Sequence, residues 1–156
     1  MKNIVWFFSY SSNMNAERLI GRGVKFISKE PAYLENYLLK FNKKSVDGTT
    51  KANIVAATDQ RVYGILYKMN AAELNKLDNI EGVTSGHYRR KTVPVCTTNG
   101  EVFMADVFIA NDKYVCDDDN IRPSQQHLNT LITAACDNRL DQQYIEYLRS
   151  LASDRP

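Results

Sequence analysis

Three short segments hold the residues that could do chemistry. In Tyr10-Ser11-Ser12-Asn13-Met14 a polar loop follows an apolar run and leads into a capped helix. Such a loop offers backbone N–H groups and hydroxyls beside a helix start that favours negative charge, so it could hold a carboxylate or an oxyanion. In Leu77-Asp78-Asn79-Ile80-Glu81-Gly82-Val83 one carboxylate, Glu81, follows a helix end and precedes a glycine. If Ile80 and Val83 fold inward, Glu81 sits in a partly apolar pocket that favours its protonated form, which suits proton transfer near neutral pH. Gly86-His87-Tyr88 puts a phenol at the start of a long strand. Each segment also has an ordinary reading: a strand-to-helix turn, a surface glutamate, and a half-buried strand tyrosine.

Other reaction classes find less support. The chain has no G-x-S-x-G elbow, no Walker loop and no G-x-G-x-x-G. His127 lies on an expected helix and has no visible nucleophile to serve, so it reads as structural or pocket-lining. Cys96, Cys116 and Cys136 are an odd count without C-x-x-C spacing, and with only His87 and His127 as histidines neither a disulfide framework nor a zinc site is indicated.

The bulk properties fit a small enzyme better than a nucleic-acid binder. The 156 residues suit a single domain over 1–156, and 44% apolar residues are enough for a core. Lys plus Arg number 20 against 18 Asp plus Glu, a net charge of only +2. The one dense basic run, Arg89-Arg90-Lys91, reads as a solvated strand face, so no nucleic-acid partner is expected. Ile4 to Phe8 is too short for a signal core or a membrane span, which predicts a cytoplasmic protein without a membrane partner.

The elements that must position these residues follow from the pattern. Residues 4–9 read as a buried strand, and Asn15 caps a short helix ending near Gly21 and Gly23. Residues 33–42 alternate imperfectly as a strand, 45–53 read as a loop, and 62–69 as a strand whose Gly64 marks a bulge or a close backbone approach. Asn70 with Glu73 resembles a capping box for a helix that buries Leu74 and Leu77. Strands over 87–97 and 102–110 join through Asn99-Gly100. An exposed loop at Asp117-Asp118-Asp119-Asn120 precedes a helix capped by Ser124, with Leu128, Leu131, Ile132 and Ala135 on one face. A last helix opens near Asp141 and carries Tyr144, Ile145, Leu148 and Leu151. The sum is an α+β domain: a mostly antiparallel, curved sheet or small barrel with flanking helices.

Taken in order, these segments resemble the gamma-glutamylcyclotransferase family. That family pairs a Tyr-Gly-Ser-Asn loop with a Leu-Asp-x-x-Glu-Gly segment and a Gly-x-Tyr, matched here by Tyr10 to Met14, Leu77 to Val83 and Gly86 to Tyr88. Val62-Tyr63-Gly64-Ile65-Leu66-Tyr67 is similar to the intervening strand, and Pro123-Ser124 to the start of the C-terminal helices. The resemblance implies release of an amine or amino acid from a gamma-glutamyl amide with formation of 5-oxoproline, without metal, nucleotide or other cofactor. It assigns Glu81 to acid/base work and the loop Tyr10, Ser11, Ser12, Asn13 and Met14 to the glutamyl group, with Tyr88 adding a hydroxyl. Two positions depart from the pattern. Ser11 replaces a glycine, which costs roughly 1 kcal/mol if the backbone there needs positive φ. His127 stands near where some relatives carry a tyrosine, and would line the pocket differently. Alternatives on the same fold are a non-catalytic binding protein and a tailoring enzyme that removes a gamma-glutamyl protecting group. The ends of a small sheet domain could support a homodimer, though nothing in the sequence specifies one.

Overall fold

The computed structural model describes residues 3–118 and 122–153. Five strands, β1 (Ile4–Ser9), β2 (Ser28–Lys44), β3 (Thr50–Asn70), β4 (Tyr88–Thr97) and β5 (Val102–Ala110), close into a barrel in the order β1-β3-β2-β4-β5. Neighbours are antiparallel except at the closure, where β1 runs parallel to β5 with Phe7 opposite Asp106. Closure removes the sheet's free edges. The described helices are α1 (Ala16–Gly21), α2 (Ala71–Ile80), α3 (Gln125–Asp137) and α4 (Gln142–Ser153).

The poor alternation over residues 33–42 has a structural cause. β2 and β3 are one long hairpin whose register slips between Glu35 and Tyr37 and again between Lys40 and Lys43. Each slip re-aims the side chains that follow, so no single period-2 pattern can run through the strand. At the first slip Asn36 and Asp59 both adopt positive φ, and the Asn36 side chain accepts from the Asp59 N–H at 3.1 Å. The hairpin's near half belongs to the barrel. Its far half, residues 37–44 with 50–56, extends towards α3 and α4, where the Tyr147 hydroxyl donates to the Leu39 carbonyl at 2.7 Å. The expected loop over 45–53 is therefore shorter, because residues 50–53 pair with β2.

Gly64 is a close approach, as anticipated. A Cβ there would lie 2.1 Å from the Ser9 carbonyl oxygen, so only glycine lets β3 pass the end of β1, where the Tyr10–Met14 loop begins. That loop forms a one-turn 3₁₀ helix over Ser12–Met14, anchored from below by the Tyr67 hydroxyl, which donates to the Asn13 carbonyl at 2.7 Å and the Met14 carbonyl at 3.2 Å.

The caps hold in part. Asn15 accepts from the Glu17 N–H at 3.0 Å, and Ser124 from the His127 N–H at 3.1 Å. The capping box at Asn70 does not form: its side chain makes no cap bond, and Glu73 instead accepts from the Lys25 N–H at 2.8 Å. On α3 the buried face is Leu128, Leu131, Ala134 and Ala135, with Ile132 only half-buried. The two alanines let α4 bring Tyr144, Ile145 and Leu148 into the core. Asp119 and Asn120 lie outside the described residues. No described helix is long and apolar enough to cross a membrane.

Candidate active site

Glu81 sits at the C-terminal cap of α2, where its N–H donates to the Leu77 carbonyl at 2.8 Å and Gly82 follows at φ +83°. A left-handed glycine ends the helix without steric cost and fixes where the preceding side chain leaves it. A carboxylate at this end faces the negative pole of the helix, so its placement depends on cations or donors from elsewhere. Both are supplied. Arg22 Nη1 lies 2.7 Å from Glu81 Oε1, and Asn13 Nδ2 donates to the same oxygen at 2.9 Å. Arg22 Nη1 also donates to Asn13 Oδ1 at 3.1 Å, closing a triangle. Arg22 itself caps α1 and precedes a left-handed glycine, Gly23. The ion pair thus joins two helix ends built alike, Arg22-Gly23 and Glu81-Gly82. All contacts fall on Oε1; among the described residues Oε2 takes no hydrogen bond.

The apolar pocket expected around Glu81 is not formed as anticipated. Ile80 is 42% exposed, and only Val83 packs against the core. Glu81 instead has cations on one side and, on the other, the aromatic side chains of Phe7, Phe8 and Phe108. Helix α2 is held in place by Arg90, which meets Asp78 through Nε at 2.8 Å and Nη2 at 2.6 Å. Arg90 is therefore a bracket between β4 and α2 rather than part of a solvated face.

Two adjoining recesses share Ser11, Glu81 and Tyr88 in their walls. The inner one, about 30 Å³, lies against Phe7, Phe8, Tyr10 and Phe108 and has room for a water or a single carbonyl oxygen. The outer one, about 230 Å³, is bounded by Ser12, Arg18, Arg22, Lys43, Lys51 and His127, among others.

The residues singled out from the sequence divide by role. Ser11, Ser12, Asn13, Glu81, Tyr88 and His127 meet at these recesses. Tyr10 lines the inner one, but its hydroxyl donates to the Phe108 carbonyl at 2.7 Å, and burial pushes its pKa well up. Met14 is fully buried and lines neither recess, so its side chain belongs to the core. Tyr88 donates to the Ala52 carbonyl at 3.0 Å; burial, with the charge of Glu81 adding, raises its pKa as well. Both phenols stay protonated and committed to backbone oxygens. Ser11 has φ −125°, outside the left-handed region, so φ does not call for a glycine there. The N–H groups of Ser11, Ser12 and Asn13 have no acceptor among the described residues. Burial lowers the His127 pKa to about 4, with Lys51 and Arg18 adding to the effect, so the ring is neutral near pH 7. Its Nε2 is buried without a partner, and Phe41 meets the ring edge-on at 5.7 Å.

The cations are what the sequence reading missed. Lys43 is only 6% exposed; its Nζ lies 2.9 Å from His87 Nδ1 and over the rings of Tyr88 (5.4 Å) and Tyr114 (5.3 Å). Burial, then repulsion from Lys51, lowers its pKa. The Arg22-Gly23 pair echoes Glu81-Gly82 and was a usable signal; the lysines of the β2–β3 hairpin carried none. Among the described residues no group of three or more His, Cys, Asp and Glu side chains could hold a metal.

The comparisons agree with this architecture. Residues 61–148 match the model of the AIG2-like family, and the chain belongs to that family. It is 28% identical over 152 residues to human gamma-glutamylcyclotransferase, spanning 93% of this chain and 77% of the relative, and 25% identical over 150 residues to the mouse protein of that name. Among solved structures, a gamma-glutamyl cyclotransferase superposes with a TM-score of 0.79 at 26% identity, covering 94% of this chain and 87% of its own. YkqA from Bacillus subtilis gives 0.84 at 26% identity, covering 99% of this chain and 56% of its own.

Proposed function

We propose that the protein is a gamma-glutamyl cyclotransferase that converts the gamma-glutamyl group of a gamma-glutamyl amino acid or amine to 5-oxoproline, with Glu81 as general acid/base. The observation that carries this reading is Glu81 itself: Oε1 is clamped by Arg22 and Asn13, Oε2 takes no hydrogen bond among the described residues, and Glu81 lines both recesses. A carboxylate oriented through one oxygen can exchange a proton through the other. In the reaction, Glu81 takes a proton from the substrate α-ammonium, and the freed amine attacks the side-chain carbonyl carbon. As the bond to the departing amine breaks, Glu81 returns its proton to that amine, then takes the extra proton from the ring nitrogen and passes it on, so the amine leaves as an ammonium and 5-oxoproline keeps one N–H. No enzyme nucleophile is used and no water is consumed. Closing the ring is intramolecular, so the protein's task is to hold the reactive conformer. The unpaired N–H groups of Ser11 to Asn13 are the donors suited to the developing oxyanion. The substrate α-carboxylate finds cations in the outer recess. We also infer a cytoplasmic location and a small-molecule substrate.

Release of 5-oxoproline from a panel of gamma-glutamyl dipeptides and amines, with Glu81→Gln alongside, tests the reading. Turnover by the wild type alone is expected. Turnover undiminished in Glu81→Gln would assign the proton transfers elsewhere. No turnover on any member would favour the binding-protein alternative, although the relaxed φ of Ser11 removes the strain argument for it.

A further inference from the structure

The outer recess carries more positive charge than the proposed reaction needs. Arg18, Arg22, Lys43 and Lys51 border it, and Glu81 is the carboxylate in its wall. Arg22 is already paired with Glu81. Among the described residues Arg18, Lys43 and Lys51 form no ion pair. Asp47, on the β2–β3 turn, accepts from the Thr49 N–H at 2.9 Å and from its hydroxyl; Lys51 adds the weakest pull on it and forms no ion pair with it among the described residues. Burial first, then Arg22, pushes the Arg18 pKa down, and burial first, then Lys51, pushes that of Lys43 down, with the charge of Glu81 opposing both. Like charges gathered this closely cost stability unless a bound anion offsets them. The glutamyl part of a substrate brings one carboxylate and one ammonium, which leaves the excess in place.

We infer that the outer recess selects gamma-glutamyl compounds whose departing amine is itself multiply anionic, an acidic amino acid or a peptide with an acidic side chain, held by Arg18, Lys43 and Lys51. The inference rests on the cyclotransferase reading and narrows it. A departing group with two carboxylates satisfies the free cations, a neutral amine leaves them unbalanced, and a cationic amine is repelled. Lys43 forms the fixed floor, since it is buried and held by His87 and two tyrosine rings. Arg18, on α1, is exposed and Lys51, on β3, is half-buried.

The test compares kcat/KM for gamma-glutamyl-glutamate, gamma-glutamyl-glutamine and gamma-glutamyl-lysine. The first two have nearly the same shape and differ by one charge. We expect gamma-glutamyl-glutamate to be preferred over gamma-glutamyl-glutamine by about tenfold or more at low salt, the lysine compound to be poorest, and the preference to shrink in 0.5 M NaCl, as screened charge pairs do. Lys51→Gln and Arg18→Gln should each lower the ratio several-fold, and Lys51→Glu should turn it towards the lysine compound. Equal use of the glutamate and glutamine compounds would overturn the inference and leave the cyclotransferase reading standing. If no compound turns over, that reading falls, and calorimetry on Glu81→Gln decides the inference separately. Tenfold tighter binding of the glutamate compound sustains it, and equal or absent binding overturns it.

Discussion

Beneath the site, the phenols of Tyr10, Tyr67 and Tyr88 each donate to a backbone carbonyl at 3.0 Å or less, and Asn53 Oδ1 accepts from the Ala110 N–H at 2.9 Å. A few ångströms outward the pattern reverses. In the outer recess, among the described residues, His127 Nε2 is buried without a hydrogen-bond partner, Glu81 Oε2 takes no bond, and Arg18, Lys43 and Lys51 form no ion pair. Buried polar groups normally find partners, because leaving one unmade costs about 1–3 kcal/mol. The barrel end obeys that rule and so fixes the loop and the helix ends. The recess departs from it at His127; among the described residues Thr50 Oγ1, Asn70 Oδ1 and Tyr144 Oη are also buried without a hydrogen-bond partner.

Four perturbations sharpen the contrast, taken from the largest effect to the smallest. Glu81→Gln should reduce kcat by roughly 10²–10⁴-fold, the usual weight of a positioned acid/base, while shifting stability by less than about 1 kcal/mol, because glutamine can still accept from Asn13 and Arg22. Kinetics beside thermal unfolding separates the two. Gly64→Val should do the reverse: its Cβ meets the Ser9 carbonyl, so we expect a loss of about 3 kcal/mol or more in denaturant unfolding, with the site loop displaced. Next is pH. His127 titrates near 4 in the fold against an unfolded value of about 6.5, so the unfolded chain binds the proton first. Its contribution is whole above about pH 6.5 and declines as pH falls towards 4, by on the order of 2 kcal/mol given its partial exposure. His127→Gln should therefore have a flatter stability profile between those pH values, measured by unfolding across the range; an unchanged slope would place the acid sensitivity elsewhere. Smallest is Ser11→Gly. With φ already at −125°, glycine relieves no positive-φ strain, so activity on simple gamma-glutamyl amino acids should be kept within about twofold and stability should fall by roughly 0.5 kcal/mol. A large loss of activity would mean that the serine hydroxyl makes a contact of its own.

The parts legible in advance were those governed by neighbours along the chain. The apolar run of β1, the caps at Asn15 and Ser124, the turn at Asn99-Gly100 and the constraint at Gly64 all depend on residues a few positions apart or on a side chain too large to fit. The capping box failed because Glu73 found a better partner in the Lys25 N–H, far away in sequence. Of Arg89-Arg90-Lys91, Arg89 and Lys91 are exposed as read, but Arg90 departs for the same reason: its bidentate partner, Asp78, is on another element.

By itself the sequence singled out the three segments and, within them, Glu81 beside its glycine as the acid/base candidate. Residue type and spacing suffice for that, because local backbone geometry is set by near neighbours. Only the tertiary structure decided what surrounds Glu81. Barrel closure and the bent β2–β3 hairpin bring Arg18 and Arg22 from one element and Lys43 and Lys51 from others to a single carboxylate. Electrostatic interaction depends on distance through space and not along the chain, so a site's charge balance could be read only once the chain had closed on itself.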